Sequence, residues 1–353
     1  MKLYPHVSLF FSIWLVSILL ISYFGFLRLP HSGTFGNNFF QSFSNWDGGH
    51  YLGIAEFGYS EKFQYAFFPL YPMLVRFLNG IIGSFFWSGV IVSLICSFLG
   101  IQLFYKLALL YFDKTIAKKV ILLLLVFPTS FYFLTAYSEG LFFLLVVASF
   151  LFFKKSKFLY AAIFVSLASV TRIAGLGLVL ALILEIQITT GFNKKNWFIL
   201  LSPLGFLIYC FYLFNQTGDP FYFLQAELHW QRSLTIPYIS FWETIKSLSI
   251  PGFAAKNFNA LLDLGFAVFG VGLTIRSFRF LPPAFCIYAL ISVLFPLFTP
   301  TLSSIPRFLL PIFPIFMLLA NIKKEGLIFG YQLISTMLLA VFTILFVCGY
   351  WVS

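Results

Sequence analysis

Charge is what this sequence has least of. Only 9% of its 353 residues are charged, with Asp and Glu totalling 11 against 22 Lys and Arg. A soluble domain carries about one quarter charged residues, so an ordinary water-soluble globular protein is excluded. Cysteine is nearly as scarce. Cys96, Cys210, Cys286 and Cys348 stand singly inside apolar runs, with neither disulfide nor zinc spacing, and read as small apolar fillers. The period-two alternation of a membrane barrel is missing. So are a Walker loop, a dinucleotide-binding glycine fingerprint and a nucleophile elbow. The net charge of +11 comes without an RNA- or DNA-binding pattern, so nucleic acid is not expected as a partner. No fixed-period repeat is evident.

What fills the chain instead is apolar length. Hydrophobic residues make up 61% of it, and apolar runs of about 17–25 residues recur from end to end, the length a helix needs to cross a bilayer. Helices satisfy their own backbone hydrogen bonds, which lipid cannot do. The expectation is an all-α, polytopic transmembrane helical bundle forming one integral domain over 1–353. Spans are expected near 8–27, 84–104, 120–133 (interrupted at Phe127-Pro128-Thr129-Ser130), 138–154, 158–170, 173–189, 196–214, 261–275, 281–299, 307–320 and 327–350, about eleven in all. The N-terminus has no small-residue cleavage site and reads as an uncleaved first span, with a signal peptide as the alternative. Two polar stretches interrupt the pattern, a first loop over 28–83 and a second over 215–260. Within the first, 66–78 is apolar but short and carries Pro69 and Pro72, as an interfacial or re-entrant helix would.

Placing the N-terminus in the cytoplasm and alternating puts Lys106, Lys114, Lys118, Lys119, Lys154, Lys155, Lys157, Lys194, Lys195, Arg276, Arg279, Lys323 and Lys324 on the same side as Lys2, as the positive-inside rule requires. The outer side then receives Asp47, Glu56, Glu61, Glu139, Asp219, Glu227 and Glu243, with Arg172, Arg232 and Arg307. The polar motifs collect opposite the topological lysines.

The densest of these motifs is Asn45-Trp46-Asp47-Gly48-Gly49-His50-Tyr51, followed by Glu56 and Glu61. Asp47 has no basic neighbour in sequence. At a membrane surface such a carboxylate could hold a raised pKa and act as a base, or simply cap a short helix. His50, three residues on, would share a helix face with it; packing is its plainer role. Ser138-Glu139-Gly140 offers either a helix start with Glu139 favoured by the helix dipole, or a carboxylate for sugar hydroxyls. Arg172 and Arg307 stand at the outer ends of apolar runs. There an arginine is costly unless paired or hydrated, and its planar fork suits phosphate; a salt bridge to Glu139 is the alternative for Arg172. Asp219, in Thr217-Gly218-Asp219-Pro220, marks a turn. Trp230 is either an interface anchor or part of a cavity mouth. No obligatory metal or cofactor is expected, because a hard cation wants more carboxylate oxygens than Asp47 alone provides.

Taken in order, these motifs resemble the PIG-V type of mannosyltransferase. The matching pieces are Trp46-Asp47-Gly48-Gly49-His50-Tyr51, Phe67-Phe68-Pro69-Leu70-Tyr71-Pro72, Pro128-Thr129-Ser130 with Ala136-Tyr137-Ser138-Glu139, Thr171-Arg172, Gly218-Asp219-Pro220 with Trp230-Gln231-Arg232, and Pro306-Arg307-Phe308. The resemblance implies a GT-C glycosyltransferase fold and an inverting transfer of mannose from a polyprenyl-phosphate donor. The acceptor would be a glycan, lipid or protein on the extracytoplasmic face. It implies Asp47 as the essential carboxylate, Arg172 or Arg307 on the donor phosphate, and His50, Glu56, Glu139, Asp219 and Trp230 as candidates for sugar or acceptor contacts. The chain's small size fits a prokaryotic plasma-membrane member. Two other readings stay open: a GT-C transferase of another sugar, and a lipid or lipid-linked sugar flippase. A flippase would spread its charges along a path through both faces.

Overall fold

The computed structural model describes residues 3–32, 38–248 and 255–352. Lys2, parts of both polar loops (33–37 and 249–254) and the side chain of Lys256 lie outside the described residues. Among the described residues the chain is helical, with no strand. The helices are α1 (Pro5–Arg28), α2 (Asp47–Phe57), α3 (Leu70–Ile82), α4 (Phe85–Ala108), α5 (Lys114–Leu125), α6 (Glu139–Lys154), α7 (Phe158–Ser169) and α8 (Gly175–Thr189). They continue as α9 (Leu204–Thr217), α10 (Tyr222–Ala226), α11 (Pro237–Leu248), α12 (Ala255–Ser277), α13 (Pro283–Leu297), α14 (Ile305–Leu309), α15 (Phe313–Ala320) and α16 (Glu325–Val347).

Among the described residues, five segments are long and apolar enough to cross a membrane: Pro5–Arg28, Phe85–Ala108, Trp197–Thr217, Phe258–Ser277 and Glu325–Val347. The other expected spans are shorter or broken. The apolar run 120–133 does not continue as one helix: α5 stops at Leu125 and the chain turns at Pro128, whose ring and missing N–H end a helix. The run 307–320 is divided into α14 and α15 around Pro311 in the same way. Helices α6, α7, α8 and α13 have only 12 to 16 residues. As expected, the first polar loop holds short helices. On α3, Met73, Phe77 and Ile81 are exposed along one stripe while Tyr71 and Val75 are buried beneath it. That is the pattern of a helix lying along an apolar boundary.

The irregular chain between α5 and α6 is buried from Phe127 to Ser138. Backbone polar groups there must find partners within the protein. Serines on α4 supply them: Ser93 Oγ donates to the Tyr137 carbonyl and Ser97 Oγ to that of Phe133, both at 3.0 Å. Small residues let α4 and α6 approach closely enough for this. A Cβ on Gly140 would collide with Ser97 Oγ and come within 2.8 Å of the Ser93 carbonyl oxygen. Beneath this contact Phe104, Phe143, Phe150, Phe285 and Phe313 pack edge to face, an arrangement the ring quadrupole favours.

The two ends of the bundle differ in charge. At one end Lys154 pairs with Glu185 at 3.6 Å, and Lys119 Nζ donates to the Ile322 carbonyl at 3.2 Å. Lys118 lies within electrostatic reach of His6, and Lys106 of Lys155. The other end holds Asp47, Glu139, Arg172 and Arg307.

Candidate active site

The site is built where the start of α2 meets the buried turn before α6. The Tyr137 hydroxyl donates to the Asn45 carbonyl at 2.8 Å, and Asn45 Nδ2 donates to the Phe346 carbonyl at 2.9 Å. Between these clamps Trp46 takes φ 60° and ψ −124°, a left-handed backbone that a bulky residue adopts only under constraint. A Cβ on Gly48 would lie 3.1 Å from the Tyr137 ring, so glycine there lets α2 seat tightly. The result is that Asp47, the first residue of α2, aims its carboxylate across the bundle rather than along its own helix, and no side chain caps α2.

Asp47 Oδ2 accepts from Arg307 Nη1 at 2.6 Å. Arg307 Nε lies 3.6 Å from Glu139 Oε1, and the same oxygen accepts from Arg172 Nη1 at 2.5 Å. The order Asp47, Arg307, Glu139, Arg172 is thus one chain of alternating charge drawn from four separate segments. Arg307 Cζ lies over the adjoining rings of Tyr132 and Tyr137, at 5.6 and 5.7 Å from their centroids, where cation–π attraction adds to the ion pairs. Glu139 is 1% exposed, and its Oε2, like Arg307 Nε, has no hydrogen-bond partner. A buried polar atom left unsatisfied costs about 1–3 kcal/mol, so its place in a cluster of charges calls for an explanation.

The expected raised pKa of Asp47 is corrected by this geometry. Burial pushes the carboxyl up, but Arg307, with smaller help from Arg232 and His50, holds it below its ordinary value. The basic partner comes from the far end of the chain, which no local reading could supply. Burial lowers the His50 imidazole's pKa, against the attraction of Asp47 and with the repulsion of His229.

The other expected residues separate into two groups. His50 and Trp230 come together, with ring centroids 6.1 Å apart, in an aromatic nest completed by Phe63 and Phe67. Phe63 also stacks on His229 at 4.3 Å. Glu56 and Asp219 lie outside the charge chain. Glu56 is exposed at the far end of α2. Asp219 accepts from Phe221 N and Gln225 Nε2, both at 2.8 Å, holding the turn after α9. Two participants went unassigned from sequence: Arg232 and Phe308. Both stood within motifs already noticed, Trp230-Gln231-Arg232 and Pro306-Arg307-Phe308, so the signal was present but unread.

The architecture is a helical bundle with membrane-length apolar segments and a buried carboxylate–arginine chain at one end. The fold is similar to the crystal structure of the Archaeoglobus fulgidus oligosaccharyltransferase in the apo form, with a TM-score of 0.50, 14% identity and coverage of 96% of this chain and 56% of that one. At that identity the likeness is one of fold, and this chain spans little more than half of that protein's length. Residues 32–195 match the family model described as Mannosyltransferase (PIG-V). That segment, just under half of the chain, carries Asp47, Glu139 and Arg172. No curated protein matches the chain. Family and fold together support a glycosyltransferase.

Proposed function

We propose that this protein moves mannose from a polyprenyl-phosphate-mannose donor to an acceptor glycan, lipid or protein on the extracytoplasmic face of its membrane, with inversion at the anomeric carbon. The observation that carries the reading is the Asp47–Arg307–Glu139–Arg172 chain, two of whose carboxylate–arginine links lie within 2.6 Å, with Asp47, Glu139 and Arg172 inside the segment that matches the PIG-V family model. About eleven crossings belong to the same reading, with α5 to α8, α13 and the pair α14–α15 counted beside the five long segments. The lysine-rich end then faces the cytoplasm, together with the N-terminus.

Asp47 accepts the proton of the acceptor hydroxyl. The oxygen attacks the anomeric carbon in line, the bond from that carbon to the phosphate oxygen breaks, and its electron pair leaves on polyprenyl phosphate. In the resting ion pair Asp47 is a weak proton acceptor. A donor phosphate offers Arg307 a second anion, and sharing the guanidinium weakens its hold on Asp47 while the carboxylate stays ionised. Arg172 and Arg307 take up the charge that develops on the leaving phosphate, in a site where burial strengthens such contacts. His50 and Trp230 line the place for sugar or acceptor. The activated sugar–phosphate bond supplies the driving force, so the reading requires no cofactor.

The test is transfer from labelled polyprenyl-phosphate mannose by purified protein, with Asp47→Asn as control. The variant keeps the shape and loses the base, and a fall of about 100- to 10,000-fold is expected. Full activity in Asp47→Asn removes the base assignment. Lipid translocation without transfer from any polyprenyl-phosphate sugar makes the protein a flippase.

A further inference from the structure

Three guanidinium groups surround one phenyl ring. Arg172 comes from the break before α8, Arg307 from α14 and Arg232 from the loop between α10 and α11. Their Cζ atoms lie 5.4, 5.4 and 5.2 Å from the centroid of Phe308. A ring can attract cations but cannot neutralise them. Arg172 has Glu139 as its partner, and Arg307 has Asp47 and Glu139. Arg232 has no carboxylate within ion-pair distance among the described residues; its Nη2 donates to the neutral Ser303 carbonyl at 3.2 Å. Three cations therefore meet two directly paired carboxylates. A third carboxylate, Glu227, acts on Arg232 through space without lying within ion-pair distance, so Arg232 is the one arginine whose direct side-chain contact a stronger acceptor could replace.

The backbone on both sides of that contact is constrained. Gln231, immediately before Arg232, has φ 57°, and Ser304, immediately after Ser303, has φ 70°. Such conformations are costly for non-glycine residues and persist where the surroundings enforce them.

We propose that Arg232 is the third arm of an anion clamp that, with Arg172 and Arg307, holds the phosphate of the polyprenyl-phosphate donor and of the product that leaves. This inference rests on the transferase reading above. The donor is a phosphodiester with one negative charge. Cleavage to the sugar hands the bonding pair to phosphate, which becomes a monoester carrying a second charge. A third guanidinium matches that added charge, and its fork can reach a phosphate oxygen that Arg172 and Arg307 leave free. A contact that strengthens as charge develops raises kcat more than it lowers KM.

Farnesyl phosphate, with farnesol as the uncharged control, probes the clamp in purified full-length protein. Arg232→Gln should weaken farnesyl phosphate binding about 10- to 100-fold, the scale of a hydrogen bond between charged partners, and leave farnesol unchanged. Arg232→Lys, which keeps the charge and loses the fork, should fall between. In transfer assays Arg232→Gln should lower kcat more than it raises KM. A readout on unaltered protein covers the case in which the variants do not fold: farnesyl phosphate should protect Arg232 from an arginine-directed dicarbonyl reagent, and farnesol should not. Equal binding by wild type and Arg232→Gln, or unchanged labelling at saturating farnesyl phosphate, overturns the clamp while leaving the transferase reading in place. If inorganic diphosphate binds through Arg232 and farnesyl phosphate does not, the clamp stands and the lipid-donor reading falls. Failure of both anions to bind overturns the clamp.

Discussion

Asp47 and Arg307 lie 260 residues apart in the chain and 2.6 Å apart in space. Each is placed by a residue with left-handed backbone close before it, Trp46 in one case and Ser304 in the other. The pair closes the bundle end to end, because Asn45 and Trp46 also touch the final segment through the Phe346 carbonyl and the Trp351 ring. The first polar loop, the late helices and the C-terminal stretch thus converge on one carboxylate.

Arg307 should set the pH range over which Asp47 can act as a base. In the folded protein burial raises the Asp47 pKa and Arg307 more than reverses that, so the net shift is downward. A depressed carboxylate contributes stability above its unfolded pKa and loses it as pH falls through the folded one. Arg307→Gln removes the lowering partner and leaves the burial. The Asp47 pKa should then rise, and the acid limb of residual transfer should move to higher pH. A pH profile of kcat/KM for both proteins checks this; an unmoved acid limb counts against Asp47 as the titrating base.

Glu139 is the joint between the two arginines, so its replacement should be felt in folding as well as in turnover. Glu139→Gln leaves Arg172 and Arg307 without the carboxylate they share. Breaking a buried pair by removing one partner costs about 3–5 kcal/mol. The lower end is expected, because Arg307 keeps Asp47 and Arg172 is partly exposed. Thermal unfolding in detergent should show a clear drop. Glu139→Gln with wild-type stability would mean that the arginines are held by other groups.

Gly140 tests whether the α4–α6 contact positions the site. An added methyl would strike Ser97 Oγ and crowd the Ser93 carbonyl, and overpacking of this kind costs about 1–3 kcal/mol. Gly140→Ala should lower the unfolding temperature and also reduce transfer, since Glu139 is the adjacent residue. Ser97→Ala in the same protein should restore part of both, because it removes the side-chain clash and leaves the backbone one. No rescue would assign the damage to the Ser93 carbonyl alone.

Much of this was legible in the chain itself. Apolar run length gave helices, the lysine-rich loops gave one end of the bundle, and Thr217-Gly218-Asp219-Pro220 read as a turn, where Gly218 ends α9 with φ 80°. Pro128 and Pro311 were also visible, yet the runs around them looked long enough to span. Hydropathy registers apolar character but not the missing N–H that ends a helix. The chemistry at Asp47 was harder to read. Its residue type and motif were plain, but its charge state depends on Arg307, and local sequence carries no trace of a partner at that separation. Arg232 was hidden for a related reason: its importance lies in sharing Phe308 with two arginines, a relation that only the folded chain creates.

Trp230 and Glu56 looked equally plausible as sugar contacts from sequence, and the structure separates them. Trp230 sits edge-on to Phe63, Phe67 and His50, with centroids 5.4 to 6.1 Å away, in the same loop as Arg232. Glu56 is exposed, and what the structure uses there is its carbonyl, which accepts from Arg76 Nη2 at 3.1 Å. Trp230→Ala should therefore raise KM for donor or acceptor about 5- to 10-fold, in keeping with aromatic contacts worth about 0.5–1.5 kcal/mol, and Trp230→Phe should recover most of the loss. Glu56→Gln preserves the backbone contact with Arg76 and should leave both kcat and KM within about twofold, as surface changes usually do. Steady-state kinetics of the three variants decide the matter. A large kcat loss in Glu56→Gln would bring α2's far end into the site, and an unchanged KM in Trp230→Ala would take the aromatic nest out of it.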